Sequence, residues 1–445
     1  MSRFDAVVLG AGNAGLAAAQ VLREAGRSVA VVERRDVGGT CPLRGCVPKK
    51  VLVAAAEALD VMRRAPAMGL EVGSVTPQWW AVIDRQRAIL AGTSEALEAD
   101  LARRGIELVR GDGRFVAPDA IAVGERRLDA DAFVVATGST PRPLTMPGAE
   151  HVTLSDELLE LREPPRSLAF VGAGVIAFEL GHVFARLGTR VTLLEVAQRP
   201  LGPFDKDAVE RLVAATRALG IEVQLGVELS AVEPSAGGLT VRYRVGGEDR
   251  ALEVERVGHG AGRIADLARL DLAAADVRVE RGGIALGAPY RSASNARVFV
   301  AGDALVTTPQ LSPLATHEGR VVGRAVLGED VTIDYASVPS AVFSVPTLAT
   351  VGLTEERARA AHGEVVVKTN DMRGWRSGRS NGEEHAWAKV ILVGDRLVGA
   401  HLLGHGAGET IHLFALAMRH GLPAAALRDL VYAYPTFSSD VRYLV

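Results

Sequence analysis

An α/β fold built on two parallel-sheet units, with a smaller α+β domain at the C-terminal end, is what this chain predicts, and three observations carry that reading. A glycine-rich strand-to-helix turn occurs twice, at 10–15 and at 172–177. Each turn is followed by an acidic residue 18 positions after its last residue, at Glu33 and at Glu195. From about Val338 the pattern changes to strands and one amphipathic helix, Gly408 to His420. A chain of 445 residues is too long for one core, and its length suggests about two to four domains. Its 48 glycines suit a fold with many tight strand-to-helix turns. A net charge of −3 without a basic amphipathic run argues against nucleic-acid and membrane partners. No uncharged apolar run approaches the ~20 residues that span a bilayer. Because Met1–Asp5 leads straight into a strand, the expectation is a cytoplasmic protein without a signal peptide.

The first unit begins with the apolar strand Ala6–Leu9. Gly10, Gly12 and Gly15 then open an alanine-rich helix ending near Gly26, and Ser28–Val32 reads as the next strand, with Glu33 at its tip. Glycines at this spacing allow a tight turn and close approach of backbone to a pyrophosphate resting on the helix N-terminus. Glu33 is placed to accept hydrogen bonds from a ribose. The second unit repeats the arrangement with the strand Ser167–Val171, the turn glycines Gly172 and Gly174, Ala177 in the third place, a helix to about Gly188, and the strand Arg190–Leu194 before Glu195. Two such Rossmann-like units mean two dinucleotides, or one dinucleotide and a decayed copy; the intact spacing favours two.

The chain has two cysteines, Cys41 and Cys46, inside Gly38–Lys50. Four intervening residues let the pair close into a ring across one irregular helical turn. Pro48 suits that turn because it has no N–H to return to the Arg44 carbonyl. A CxxxxC lacks the second ligand pair of a zinc site, so no metal centre is read here. The choice is between buried structural thiols and a redox-active disulfide. The flanking glycines and the paired Lys49–Lys50 favour the second.

This stretch resembles the redox segment of the FAD-dependent pyridine nucleotide-disulfide oxidoreductases, and the resemblance runs over nearly the whole chain. It implies two Rossmann-like dinucleotide-binding domains plus a C-terminal α+β dimerisation domain, with FAD in the first unit and the nicotinamide nucleotide in the second. The implied division is 1–150 and 259–330 for the FAD domain, 151–258 for the nicotinamide domain and 331–445 for the interface domain of a homodimer. Further strings carry the likeness: Phe133–Ser139, containing Thr137 and Gly138; Val257–Gly262; Arg297–Asp303, whose Gly302 and Asp303 match the segment that meets the FAD ribitol; and Leu311–Ala315, where Ser312 should open a helix aimed at the flavin. Thr40 falls among the cofactor positions. Ser344–Thr347 and Val351–Thr354 resemble the dimerisation domain. By the same resemblance Cys46 is the flavin-facing thiolate, Cys41 the interchange thiol, and Lys49 sits beside the flavin paired with Glu179. A carboxylate at Glu195, with Val196 and Ala197 where NADPH-binding relatives carry arginines, favours NADH; Arg199 is the nearby cation that leaves NADPH open.

The pattern departs from the family at its end. Tyr434-Pro435-Thr436 stands where a His-Pro-Thr motif is usual, Ser439 takes the place of its glutamate, and Asp440 follows. A phenol of pKa about 10 is a poor base at neutral pH. His317, His405 and His412 are the candidate replacements, each reading more naturally as a loop or helix-surface histidine. The basic loop Arg373–Arg379 reads as a solvated surface rather than a seat for an anionic substrate. The resulting expectation is an NAD(P)H-dependent flavoprotein that reduces a small-molecule or protein disulfide, or another thiol-reactive acceptor. A mercuric-type metal-ion reductase or a diaphorase is the alternative within enzymes. A non-catalytic FAD- or NADH-binding redox sensor is the alternative outside them.

Overall fold

The computed structural model describes residues 2–445. They group into two compact units, one of residues up to Pro48 with 86–142 and 263–333, the other of 49–85, 143–262 and 334–445.

In the first unit the strand Ser2–Leu9 lies at the centre of a parallel sheet. Arg126–Val135 and Val29–Glu33 flank it, with Val298–Val300 and Glu107–Arg110 outside them. Val7, Val8, Val31 and Val134 are fully buried, as expected of apolar strands covered on both faces. Leu9 is in register with both Val32 and Val135, and Val135 with Val300. The carboxyl ends of these strands therefore finish level. They deliver Gly10, Glu33, Thr137 and Gly302 to one edge, where open α/β sheets bind ligands. The helix Asn13–Glu24 packs on the helix Ser312–Val326. A Cβ on Gly319 would fall 2.1 Å from the Ala14 carbonyl oxygen, so glycine sets this approach.

The second unit holds a parallel sheet in the order Glu222–Leu225, Arg190–Glu195, Ser167–Val171, Arg256–His259. It also holds a three-stranded antiparallel sheet, Glu228–Val254. Its five-stranded antiparallel sheet runs Ser340–Val342, Thr347–Gly352, Arg396–Gly404, Trp387–Val393, Val366–Asp371. The amphipathic helix spans Ala407–Arg419 and buries Ile411 and Phe414 against that sheet.

The stretch from Lys49 to about Gly105 is helical in three pieces, Cys46–Arg64, Trp79–Leu90 and Thr93–Arg103, interrupted at 69–78, where Gly69, Gly73 and Pro77 oppose helix. Leu52, Val53, Ala56 and Trp79 of this stretch bury in one cluster with Phe178 and Phe184 of the second unit, to which 49–85 belong. One expectation is corrected: the cysteines do not share one irregular helical turn. Thr40–Arg44 is a short helical turn, Gly45 breaks it at φ −143° and ψ −106°, and Cys46 starts a new helix. Pro48 thus falls in a first turn, where backbone N–H groups have no intrahelical partner to lose. Among the described residues no helix is long and apolar enough to cross a membrane.

Candidate active site

The two glycine turns share a hydrogen-bonding scheme. Gly10 N–H donates to Val32 O and Gly172 N–H to Leu194 O, both at 2.8 Å. The Glu33 carboxylate accepts from Ala11 N (2.8 Å) and Arg35 N (2.7 Å); Glu195 accepts from Ala173 N (2.7 Å) and Ala197 N (2.9 Å). Each carboxylate therefore clamps its loop to its strand tip, and each oxygen keeps a lone pair for a ribose hydroxyl. Gly10 has φ +106° and a Cβ there would meet Ala136 O at 2.4 Å; Gly172, at φ +87°, would meet Ala261 Cα at 2.5 Å.

The first cradle fits a dinucleotide. A Cβ on Gly12 would meet nothing nearer than Gly39 Cα at 4.0 Å, so the helix N-terminus faces open space that a side chain would fill. Thr137 Oγ1 is buried without a hydrogen-bond partner and lines the same cleft as Gly10, Glu33 and Arg34. Asp303 lies beyond the strand Val298–Val300, where Ser139 Oγ donates to its carboxylate at 2.9 Å. Arg263 in turn donates to Ser139 Oγ (2.9 Å) and to Ser139 O (2.6 Å). Burial raises the Asp303 pKa, opposed by the Ser139 hydroxyl and the Arg263 charge.

The sulfur pair is docked onto this cradle by backbone. Gly38 N–H donates to Ala11 O at 2.8 Å, and Gly39, at φ +70°, approaches Gly12 so closely that its Cβ would lie 2.8 Å from Gly12 Cα. Thr40, exposed, then opens the turn carrying Cys41. Cys41 is half-buried, Cys46 is exposed, and both are thiols in this structure. Cys46 Sγ lies 3.1 Å from Ser312 Oγ, on the first residue of the helix Ser312–Val326. Asn13 Nδ2 donates to the Ser312 carbonyl at 3.3 Å. The hydrogen bond to Cys46, and then burial, push the Cys41 thiol well above the ordinary range.

Three positions along the helix from Cys46, Lys49 Nζ meets Glu179 Oε1 at 2.7 Å, with both side chains largely buried. The same oxygen accepts Phe343 N–H at 2.9 Å, and the Lys49 ammonium stands 4.5 Å from the Phe343 ring centroid.

At the C-terminal end Tyr434 is 59% exposed, with the Arg376 guanidinium 6.0 Å from its ring centroid. Ser439 is buried and donates to Thr436 O at 2.6 Å. Asp440 is buried too, accepts from Ser377 Oγ, and has its pKa raised by that burial. These two positions therefore serve the local fold rather than presenting a carboxylate beside Tyr434. His317 and His412 are exposed on helices. His405 is not a surface histidine: its ring nitrogens lie 2.6 Å from Glu383 and 3.3 Å from Asp60. Burial alone would lower its pKa, but the two carboxylates raise it to about 9. In the basic loop Arg373 pairs with Asp371 at 2.5 Å.

Sequence reasoning missed Asn13, Ser139 and Arg263. Asn13 occupies a variable place of the glycine motif, and Ser139 and Arg263 act only through partners more than 100 residues away, so no local signal marked them.

Fold and site together define a flavoprotein oxidoreductase with two dinucleotide cradles and a cysteine pair docked on one of them. Comparison with known proteins agrees. The pyridine nucleotide-disulphide oxidoreductase family matches residues 4–319 and its dimerisation domain residues 338–445, and the chain belongs to that family. It is 31% identical to glutathione reductase of Burkholderia cepacia, over 98% of this chain and 97% of that one. It is 30% identical to mercuric reductase of Staphylococcus aureus, over 99% and 81%. Among solved structures, the Cu(II) complex of the HOCl-induced flavoprotein disulfide reductase RclA from Escherichia coli superposes with a TM-score of 0.88. That match has 26% identity and covers 100% of this chain and 99% of that one. The protein is thus an FAD-dependent NAD(P)H oxidoreductase whose Cys41–Cys46 pair fits a redox-active disulfide, and its dimerisation domain supports a homodimer.

Proposed function

We propose that NADH is the preferred reductant and that electrons leave through Cys41 to a small-molecule or protein disulfide, or to another thiol-reactive acceptor. In this reading Gly10, Gly12, Gly15, Glu33, Thr40, Thr137, Gly138, Gly302, Asp303 and Ser312 hold FAD, and Gly172, Gly174 and Glu195 hold the nicotinamide nucleotide. Bound FAD supplies the two-electron relay between nicotinamide and sulfur. Residues 151–258 serve as the nicotinamide domain and 331–445 as the interface domain, and the source of NADH is cytoplasmic.

The sulfur cluster carries this reading. In this reading reduction leaves the proton on Cys41, whose thiol is held above the ordinary range, and the charge on Cys46, whose Sγ has the Ser312 hydroxyl at 3.1 Å. Lys49, paired with Glu179, keeps a compensated positive charge on the same helix as that thiolate; an unpaired ammonium so deeply buried would be costly. The NADH preference is supported at Glu195 and at Arg199. Arg199, the nearby cation that could greet a 2′-phosphate, donates to Gly202 O at 3.1 Å and lies 4.0 Å from Glu356.

Tyr434 supports a second reading. With an exposed phenol beside Arg376 in the histidine place, the terminus favours acceptors whose reduction does not depend on acid-assisted thiol–disulfide exchange, such as a thiophilic metal ion or a quinone, over glutathione disulfide or lipoamide. Anaerobic reduction by NADH followed by stopped-flow mixing with disulfides, Hg(II), Cu(II), quinones and oxygen separates the two. Rapid glutathione disulfide turnover that Tyr434→Phe sharply lowers would show a tyrosine doing the histidine's work.

A further inference from the structure

We infer that the ion pair between Arg34 and Asp266 is a gate on the first dinucleotide cradle, setting how fast FAD leaves while adding little to how tightly it is held. The inference rests on the reading that places FAD in this cradle and extends it to two residues that reading does not use.

The sheet order puts the pair across the cradle. The strand Ser2–Leu9 lies between Val29–Glu33 and Arg126–Val135, and Leu9 is in register with both Val32 and Val135. Strands two apart in a sheet are about 10 Å from each other. Arg34 leaves the tip of one outer strand. Asp266 is tied beyond the tip of the other, where its N–H donates to Gly138 O at 3.0 Å. Arg34 Nη2 donates to Asp266 Oδ2 at 2.7 Å, so the pair joins the segments on either side of the turn that begins at Gly10. Both residues line the cleft that holds Gly10, Glu33 and Thr137.

The rest of this rim is held by backbone. Asp266 opens a short segment whose far end is also fixed, since Leu270 is buried and its carbonyl accepts Phe115 N–H at 2.8 Å. With 266–270 pinned at both ends, the Arg34–Asp266 contact is the part that side-chain rotation alone can open. The two side chains are 36% and 14% exposed, so the charges meet water as soon as they part. Such a pair is weak enough to open often and strong enough to slow passage several-fold. It also stands where passage matters, because Arg34 directly follows Glu33, whose carboxylate is open to a ribose hydroxyl. A second ion pair at this cleft, Arg269–Asp112, is 3.9 Å long with both side chains more than half exposed, and forms a weaker tie.

The test is exchange of bound FAD against a large excess of isotope-labelled FAD, with protein recovered at intervals by rapid gel filtration and its flavin read by mass spectrometry. Arg34→Gln and Asp266→Asn, which remove the charge and keep a polar side chain, should each speed exchange about three- to fivefold. The double variant should be no faster than either single, because both remove one contact. Salt at about 0.5 M should speed exchange in the wild type and leave Arg34→Gln within about twofold. FAD retained at equilibrium on serial dilution should match the wild type within about twofold, since a gate closed with or without ligand slows entry and exit alike. Variants that exchange at the wild-type rate, or that lose affinity in step with faster exchange, would overturn the inference. Equal acceleration by Arg269→Gln would overturn it too, assigning the effect to the general charge of the rim. Gly12→Val, which fills the open space before the helix N-terminus, should abolish FAD binding. A Gly12→Val chain that binds FAD like the wild type would instead overturn the placing of FAD in this cradle.

Discussion

Glu179→Gln isolates the charge that compensates Lys49. At 2.7 Å, two unit charges attract by about 6 kcal/mol at an effective dielectric near 20, and much of that offsets the desolvation of both ions. Removing one partner of a buried pair costs about 3–5 kcal/mol, because the other is left buried and uncompensated. Glutamine keeps an oxygen that can still accept Phe343 N–H and one Lys49 N–H, and the Phe343 ring still faces the ammonium, so the expected cost is about 2–4 kcal/mol. All four tryptophans, Trp79, Trp80, Trp375 and Trp387, lie in the unit containing this pair. Trp79 stacks on Phe184 at 5.0 Å, on the helix that also carries Glu179. Urea unfolding followed by tryptophan fluorescence therefore reads the right transition. Adding Lys49→Met to Glu179→Gln should recover about half of the loss, since no buried charge is then orphaned. A cost below about 0.5 kcal/mol for Glu179→Gln, or a double variant worse than the single, would refute the claim that this pair neutralises a buried lysine.

Cys46→Ser should abolish the long-wavelength charge-transfer absorbance between thiolate and bound flavin, and Cys41→Ser should show it without prior reduction; identical spectra would mean the two roles are wrongly assigned. kcat/KM for NADH should exceed that for NADPH by about 5–150-fold, the worth of a lost hydrogen bond plus repulsion at Glu195; equal use would show Arg199 leaving Gly202 to bind the phosphate. The His405 pKa of about 9 lies above its unfolded value near 6.5, so its contribution to stability is complete below about pH 6.5 and is lost as pH rises through about 9. Asp60, Glu383 and Arg64 face this ring, and His405→Asn should flatten the urea midpoint between pH 6 and 9.5 while the wild-type midpoint falls.

The parts legible in the sequence are those whose chemistry is local. Gly10 and Gly172 are marked by the turn spacing and take positive φ there, although the backbone that crowds them, at Ala136 and Ala261, comes from far along the chain, and the 18-residue offset to Glu33 and Glu195 follows from one helix and one strand of ordinary length. The Cys41–Cys46 pair was visible by spacing and rarity, but its break at Gly45 was not, because glycine alone does not say which backbone angles it will use. Along 49–103 the spacing of apolar residues marks helices with a face to bury, but not that Leu52 and Trp79 cluster with Phe178 and Phe184. Asn13, Arg263 and the His405 cluster were hidden because each draws partners from distant segments. His405, for example, sits among Asp60, Arg64 and Glu383, and such a gathering leaves no mark along the chain.

The most direct test of electron flow through sulfur is an anaerobic titration of the FAD-loaded protein with NADH, with thiols counted after denaturation in an alkylating label. The first equivalent of NADH should open two new thiols per chain, at Cys41 and Cys46, while the flavin remains oxidised at the end point. Bleaching of the flavin by that first equivalent with no new thiols would show that the pair takes no electrons from it, and would contradict the central role assigned here to Cys41 and Cys46.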